Sequence, residues 1–177
     1  YNMRRREFVG AEPNEGHRLL AELERRYRVT IVTQNVDDLH ERAGSTHVIH
    51  LHGELMKNRS VRNARVTYPA EGATLELHVG DLAPDGYQLR PFLVWFGEEV
   101  PEMIPAIEAT ERADLFLVIG TSLEVYPAAG LLGYVPHRAP VYCIDPKPVR
   151  SSYRPDLIHF ETGATEGMRR LYDLLMK

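Results

Sequence analysis

TQNVDDLHERAG at 33–44, followed almost at once by HVIHLHGEL at 47–55, is the stretch on which the reading of this chain turns. An amide pair, an acidic pair and several histidines lie there between hydrophobic runs. Val29, Ile31 and Val32 form a short β-branched run, so Thr33, Gln34 and Asn35 fall where a parallel strand ends and its loop begins. Open α/β sheets bind ligands at that carboxyl edge. Asp37 and Asp38 suit the first turn of a short helix, and Gly44 is placed to end it. A second strand at 48–51 then delivers His52 into the next loop. The spacing thus predicts a polar amide–acid loop and a histidine at one edge of one sheet. Plainer readings of the same residues exist. Gln34 and Asn35 are also good turn formers that satisfy their own backbone, and His50 and His52, two apart on one strand face, fit a metal pair serving a metal-dependent hydrolase.

Working outward, 13–27 is amphipathic, with Leu19, Leu20, Leu23 and Tyr27 on one face. A strand is expected at 92–96 and a helix at 101–113 with Met103, Ile104 and Ile107 inward. The run 115–119 is continuously apolar, as in strands buried on both faces of a parallel sheet, and it ends in Gly120, Thr121 and Ser122, where backbone amides and hydroxyls can approach a phosphate or ribose. Further strands are expected at 141–144, with Asp145 at the tip, and at 157–160. A last helix at 165–176 has Thr165 as expected N-cap and Met168, Leu171 and Leu175 on its apolar face. The fold class is α/β, a Rossmann-like parallel sheet flanked by helices, with a small inserted module. Within the module, alternation at 65–68 and 74–79, with Pro69 and Gly72 between, predicts an antiparallel hairpin.

The 177 residues suffice for one domain with a sizeable core. A net charge of -4 gives no electrostatic case for nucleic-acid binding. The one cysteine, Cys143, lies in an apolar run and reads as a buried structural thiol, with no intrachain disulfide. No apolar run approaches membrane-spanning length and no signal peptide is visible, so the expectation is a cytoplasmic protein without a membrane partner.

Four blocks in order, TQNVDDLHERAG with HLHGEL, VWFGEEVP at 94–101, VIGTSLEVYPAAG at 118–130 and VYCIDPKP at 141–148, resemble the signature of the sirtuins, the NAD-dependent protein deacylases. The resemblance covers most of the chain apart from 56–90. It implies NAD as cosubstrate and acylated protein lysines or peptides as partners, with a monomer expected. By the same resemblance the acyl-lysine amide oxygen attacks the nicotinamide ribose, nicotinamide leaves, and His52 removes a proton from a ribose hydroxyl that then attacks the acyl carbon. Imidazole titrates near neutrality and suits that role. Lysine, nicotinamide and O-acyl-ADP-ribose would be the products. Val36 and Asp37 would meet the nicotinamide carboxamide, and Gln34 and Asn35 the ribose and an ordered water. Gly120, Thr121, Ser122, Asp145, Pro146, Lys147 and Ala164 would serve the rest of the dinucleotide. Trp95, Phe96, Gly97 and Glu98, with Leu123, Glu124 and Val125, would pair with the peptide by strand addition. Trp95 and Phe96 fit either core packing or the wall of an acyl-lysine tunnel.

YNMRRREF at 1–8 reads as a helix whose Arg4, Arg5 and Arg6 form a solvated basic face. The resemblance narrows this, because Tyr1 and Arg4 match the Tyr-x-x-Arg pair of sirtuins that prefer acidic acyl groups such as succinyl and malonyl. A guanidinium can bind such a carboxylate through two charge-assisted hydrogen bonds.

The chain departs from the family in two places. Sirtuins usually hold a structural zinc with two cysteine pairs, but 54–91 contains no cysteine and only His78 among histidines, so a module replacing the zinc-binding one, without zinc, is expected. The family's N-terminal strand and glycine-rich loop are also missing. The expectation is therefore one catalytic domain over 1–177, N-terminally incomplete, with the natural protein continuing upstream of Tyr1. The alternative is a non-catalytic module binding NAD, ADP-ribose or an acyl peptide.

Overall fold

The β-branched and apolar runs form five short parallel strands, and they fall into two sheets rather than the single sheet expected. In the computed structural model, which describes residues 1–177, β1 (Ile31–Thr33) pairs with β2 (Val48–His50), while β6 (Phe116–Ile119), β7 (Val141–Ile144) and β8 (Ile158–Phe160) form a second sheet. No hydrogen-bonded strand joins the two, yet they share a core: Ile31 of β1 packs in one cluster with Ile144, Leu117 and Ile119.

Two helices close that core. α2 (Glu15–Leu23) contributes Leu20 and Leu23, and α5 (Ala164–Leu175) contributes Met168 and Leu171. Burying each such side chain is worth about 1.5–3 kcal/mol. α5 lies so close to β7 that a Cβ on Gly167 would stand 2.2 Å from Ile144 Cγ2. Its N-cap is Gly163, in extended backbone and with no side-chain hydrogen bond, so the expected cap, Thr165, lies inside the first turn. α3 (Leu39–Ala43) ends at Gly44 in the left-handed conformation, φ +106°, as its sequence predicted. α4 (Met103–Glu111) turns Met103 and Ile107 toward the core but leaves Ile104 exposed, against expectation. Cys143 is fully buried, and burial pushes its thiol up to about 11. No helix is long and apolar enough to cross a membrane.

The inserted module differs from the hairpin expected. Its centre is β3 (Gly53–Ser60), flanked antiparallel by β4 (Thr67–Pro69) and β5 (Leu89–Leu93), and the segment after β4 makes a 3-10 turn at Gly72–Thr74 instead of a strand. β3 is hard to see in sequence because two of its inward side chains are polar. Asn58 is buried and donates from Nδ2 to Thr74 O at 3.0 Å, and the buried Ser60 accepts from Arg62 N at 3.1 Å.

Arg5, in α1 (Asn2–Phe8), is 0% exposed, so the basic run is not one solvated face. Its guanidinium donates to the carbonyls of Leu55 (2.8 Å), Lys57 (3.2 Å), Thr74 (3.3 Å) and Leu75 (2.9 Å) and to Asn58 Oδ1 (2.7 Å). Arg4 and Arg6 stay exposed, Arg6 pairing with Glu76 at 3.1 Å. The residues of the module do not fit a zinc ion. No group of three or more His, Cys, Asp or Glu side chains is gathered anywhere in the chain, and the one histidine of 54–91, His78, is exposed. A protein cation sits among the module's carbonyls. Replacing it strands several buried acceptors, so Arg5→Met is expected to lower the unfolding free energy by at least the cost of one unmet acceptor, about 1–3 kcal/mol; an unchanged urea midpoint would contradict this.

Candidate active site

At the end of β1, Thr33 is buried and its Oγ1 accepts from Asn35 N at 3.1 Å, while its carbonyl accepts from Leu51 N at 3.0 Å. Leu55 N donates to Val36 O at 2.8 Å, and Val94 N to His52 O at 3.0 Å. These bonds stitch the 34–37 loop to the corner between β2 and β3. Gly53 turns that corner at φ +83°, where a Cβ would lie 2.2 Å from Phe92 O, so only glycine fits after His52.

His52 Nδ1 lies 3.0 Å from Gln34 O. A carbonyl oxygen can only accept, so Nδ1 carries the hydrogen, and in the neutral ring the lone pair is on Nε2. The half-buried ring is thereby held in one orientation, with Nε2 as the atom left to take up a proton, as a general base requires. His50 is occupied differently: its Nε2 meets Glu41 Oε1 at 2.7 Å and its Nδ1 is 3.4 Å from Asn35 O. The two histidines therefore hold adjacent carbonyls of one loop and do not converge as a metal pair. Asp37 Oδ1 accepts from Leu39 N at 3.2 Å. Behind this loop the rings of His17 and His40 meet edge to face at 4.8 Å, and burial, first among the causes, holds both below the usual imidazole range.

The second sheet offers its own carboxyl edge. Ile119, Ile144 and Phe160 are in register, so the loops after β6, β7 and β8 leave side by side. Gly120 N donates to Ile144 O at 2.9 Å. Gly120 has φ +61° with open space beside it, and Leu123, at φ +59°, is the one non-glycine residue with positive φ. Its N donates to Thr121 Oγ1 at 3.2 Å. Such a conformation costs about 1–2 kcal/mol in a branched residue and tends to mark ligand-binding loops. Asp145 is buried at the tip of β7. Its Oδ1 accepts from Lys147 N at 2.8 Å, and Oδ2 has no partner within the chain. Pro146 and Lys147 are exposed, and Ala164 is the first residue of α5. Open backbone at Gly120, the Ser122 hydroxyl and a carboxylate oxygen ready to accept are donors and acceptors that fit the phosphates and ribose of a dinucleotide.

Residues from the module and α1 form the third side. Neither Trp95 nor Phe96 packs in a core: Trp95 is 43% exposed and Phe96 is fully exposed. Glu98 does not face outward freely. Arg90 grips it from Nη1 (2.6 Å) and Nη2 (3.2 Å), Trp95 N donates to it at 2.9 Å, and Arg59 stands 3.8 Å away. The Arg90 Cζ also lies 3.5 Å over the centre of the Trp95 ring, and the Tyr1 ring runs parallel to that indole, 5° off, at 6.5 Å. Arg4 is exposed and forms no ion pair. Glu124 and Val125 are exposed and Leu123 is half-buried. Arg59 and Arg90 have no forewarning in the sequence, because an ion pair across a strand and a loop follows no helical or strand spacing.

The model of the Sir2 family matches residues 1–127. An NAD-dependent protein deacylase of Bacteroides thetaiotaomicron is 52% identical over 179 residues, covering 99% of this chain and 76% of that protein. Among solved structures, a Sir2 homologue in complex with NAD superposes with a TM-score of 0.86 at 37% identity, over 99% of this chain and 70% of that one. A Sir2–p53 peptide–NAD+ complex superposes with a TM-score of 0.77 at 31% identity, over 96% and 73%.

The hydrogen bond from Arg90, before other causes, holds the Glu98 carboxyl at about 2. A depressed carboxyl contributes stability that is fully present above its unfolded value and is lost as pH falls through the folded one. The emission of Trp95, the sole tryptophan, is therefore expected to stay constant from about pH 7 to about pH 4; a transition in that interval would contradict the grip on Glu98.

Proposed function

The chain belongs to the Sir2 family and is an NAD-dependent protein-lysine deacylase, and from that premise we propose how its residues divide the work. Bound NAD supplies the ribose that receives the acyl group and the nicotinamide that leaves. His52 takes the proton from a ribose hydroxyl at Nε2; the observation that carries this assignment is the Nδ1 contact to Gln34 O, which leaves Nε2 as the nitrogen at which a proton can be gained. Gln34, Asn35, Val36 and Asp37 form the loop against the nicotinamide end, its shape held by the bonds at Thr33 and Leu55. Gly120, Thr121, Ser122, Asp145, Pro146, Lys147 and Ala164 take the remainder of the dinucleotide.

The acyl peptide enters as an added strand between 95–98 and 123–125, an arrangement that makes little demand on its sequence. Tyr1 and Arg4 meet the far end of the acyl chain. The exposed, unpaired Arg4 guanidinium suits a terminal carboxylate, which favours succinyl and malonyl over acetyl. The whole chain acts as one catalytic domain, and the 54–91 module draws its rigidity from Arg5 instead of a metal.

Matched acetyl-lysine and succinyl-lysine peptides, followed by mass spectrometry with and without NAD, test these roles. His52→Ala is expected to reduce turnover by about 10²–10⁴-fold. Arg4→Met is expected to lower kcat/KM for the succinyl peptide by about 10–100-fold, the value of a charged hydrogen bond, and to change the acetyl value only slightly. Turnover by His52→Ala at the parent rate overturns the base assignment, and equal losses on both peptides overturn the Arg4 assignment.

A further inference from the structure

Arg5 and Arg90 are both largely enclosed, yet they are partnered in different ways. Arg5 uses Nε, Nη1 and Nη2 on five acceptors. Arg90 leaves Nε buried with no partner, which costs about 1–3 kcal/mol. A guanidinium placed for stability alone would not be left so. What Arg90 does instead is bind Glu98 with both terminal nitrogens, bond Leu93 O at 2.9 Å and set its Cζ 3.5 Å over the Trp95 ring. Glu98 closes the arrangement by accepting the Trp95 N–H. Both the backbone and the ring of one half-exposed tryptophan are thus held by a single ion pair.

That tryptophan stands at the centre of the substrate side. Its neighbour Val94 is bonded to the carbonyl of His52, and its ring runs parallel to that of Tyr1. We propose that Arg90, acting with Glu98 and Arg59, is a positioning residue that holds the Trp95 indole as a fixed wall of the acyl-lysine site and thereby sets peptide affinity and acyl-chain selection. The proposal rests on the deacylase reading of the site. Lysine cannot replace Arg90, because an ammonium offers neither a flat face to the indole nor a two-pronged grip on the carboxylate. Arg59 and Arg90 face the single carboxylate of Glu98. The excess positive charge beside the indole also favours an acyl chain that ends in a carboxylate.

Arg90→Gln and Arg90→Lys, each assayed with acetyl-lysine and succinyl-lysine peptides, test this. Trp95 is the only tryptophan, so its fluorescence reports the wall directly. Both variants are expected to raise the peptide KM about tenfold, more for succinyl than for acetyl, with the NAD KM unchanged and acrylamide quenching of Trp95 about doubled. Arg90→Lys with parent quenching and parent peptide KM overturns the proposal. So does a fall in kcat with an equal rise in both KM values and a lowered thermal midpoint, the signature of a merely structural role. Should Arg90→Gln fail to fold, Glu98→Gln, which keeps an acceptor for the Trp95 N–H and removes the charge that holds Arg90, is read by the same criteria. A parent protein that turns over neither peptide overturns the deacylase reading, whereas the quenching comparison still decides whether Arg90 holds the indole.

Discussion

The guanidinium of Arg5 inside a ring of carbonyls is the contact on which the three-stranded module and the helix packed on it depend. A buried charge is costly unless its donors are met, and here four main-chain carbonyls and one side-chain amide meet all of them. The carbonyls come from two separate segments, β3 and the turn at 74–75, so one side chain fixes both segments and the helix that bears it. Because Arg5 N also bonds Tyr1 O at 2.9 Å, the register of α1 sets Tyr1 and Arg4 relative to the module. The module in turn carries β5, Arg90 and Trp95. A metal held by cysteines would unite such segments through side-chain sulfur. This chain unites them through main-chain oxygen, so the contact with Arg5 itself does not depend on the side chains at 55, 57, 74 and 75.

The corner that bears His52 obeys a tighter constraint. Gln34 O, His52, Gly53 and Phe92 O lie so close that the chain admits no Cβ after His52, and the imidazole has one carbonyl to bond. Backbone geometry thereby determines a proton position: the tautomer follows from a main-chain oxygen of the neighbouring strand's loop. The second sheet needs no such contact with the corner. Its loops leave from strands in register, and the shared cluster around Ile31 and Ile144 holds the two edges together.

Elements that bury apolar side chains at a regular period were legible. β6 and β7 follow from continuous apolar runs, the face of α5 from Met168 and Leu171, and the end of α3 from Gly44, whose left-handed backbone few other residues adopt. What escaped was polar burial. β3 reads as a hydrophilic segment because Asn58 and Ser60 point inward, and the alternation at 74–79, which looks like a strand, instead follows a tight turn whose carbonyls serve Arg5. In the basic run, resemblance drew attention to Arg4, whereas the residue with the most bonds is Arg5. Nothing in composition separates the two, since a helix 7 residues long exposes one side and buries the other without an apolar stripe to mark which. The meeting of His52 with the 34–37 loop was legible because their spacing is short and local; the Arg90–Glu98 pair was not, because its meaning depends on where the indole between them points.

The site is also where the chain is least relaxed. Leu123, the sole non-glycine residue at positive φ, lies on the loop expected to flank the peptide. Of three buried polar atoms without a partner, Arg90 Nε stands behind Trp95 and His40 Nδ1 behind the loop of Asp37; Ser45 Oγ is the third. Folding alone would select against each of these, since an unmet donor or a strained backbone costs about 1–3 kcal/mol. Leu123 and Arg90 Nε lie on or behind the segments proposed to flank the peptide, and His40 Nδ1 behind the loop proposed to meet the dinucleotide. The satisfied Arg5 and the unsatisfied Arg90 therefore mark a division within one small module: one arginine holds the fold together, and the other, at some expense to it, holds an aromatic ring in place.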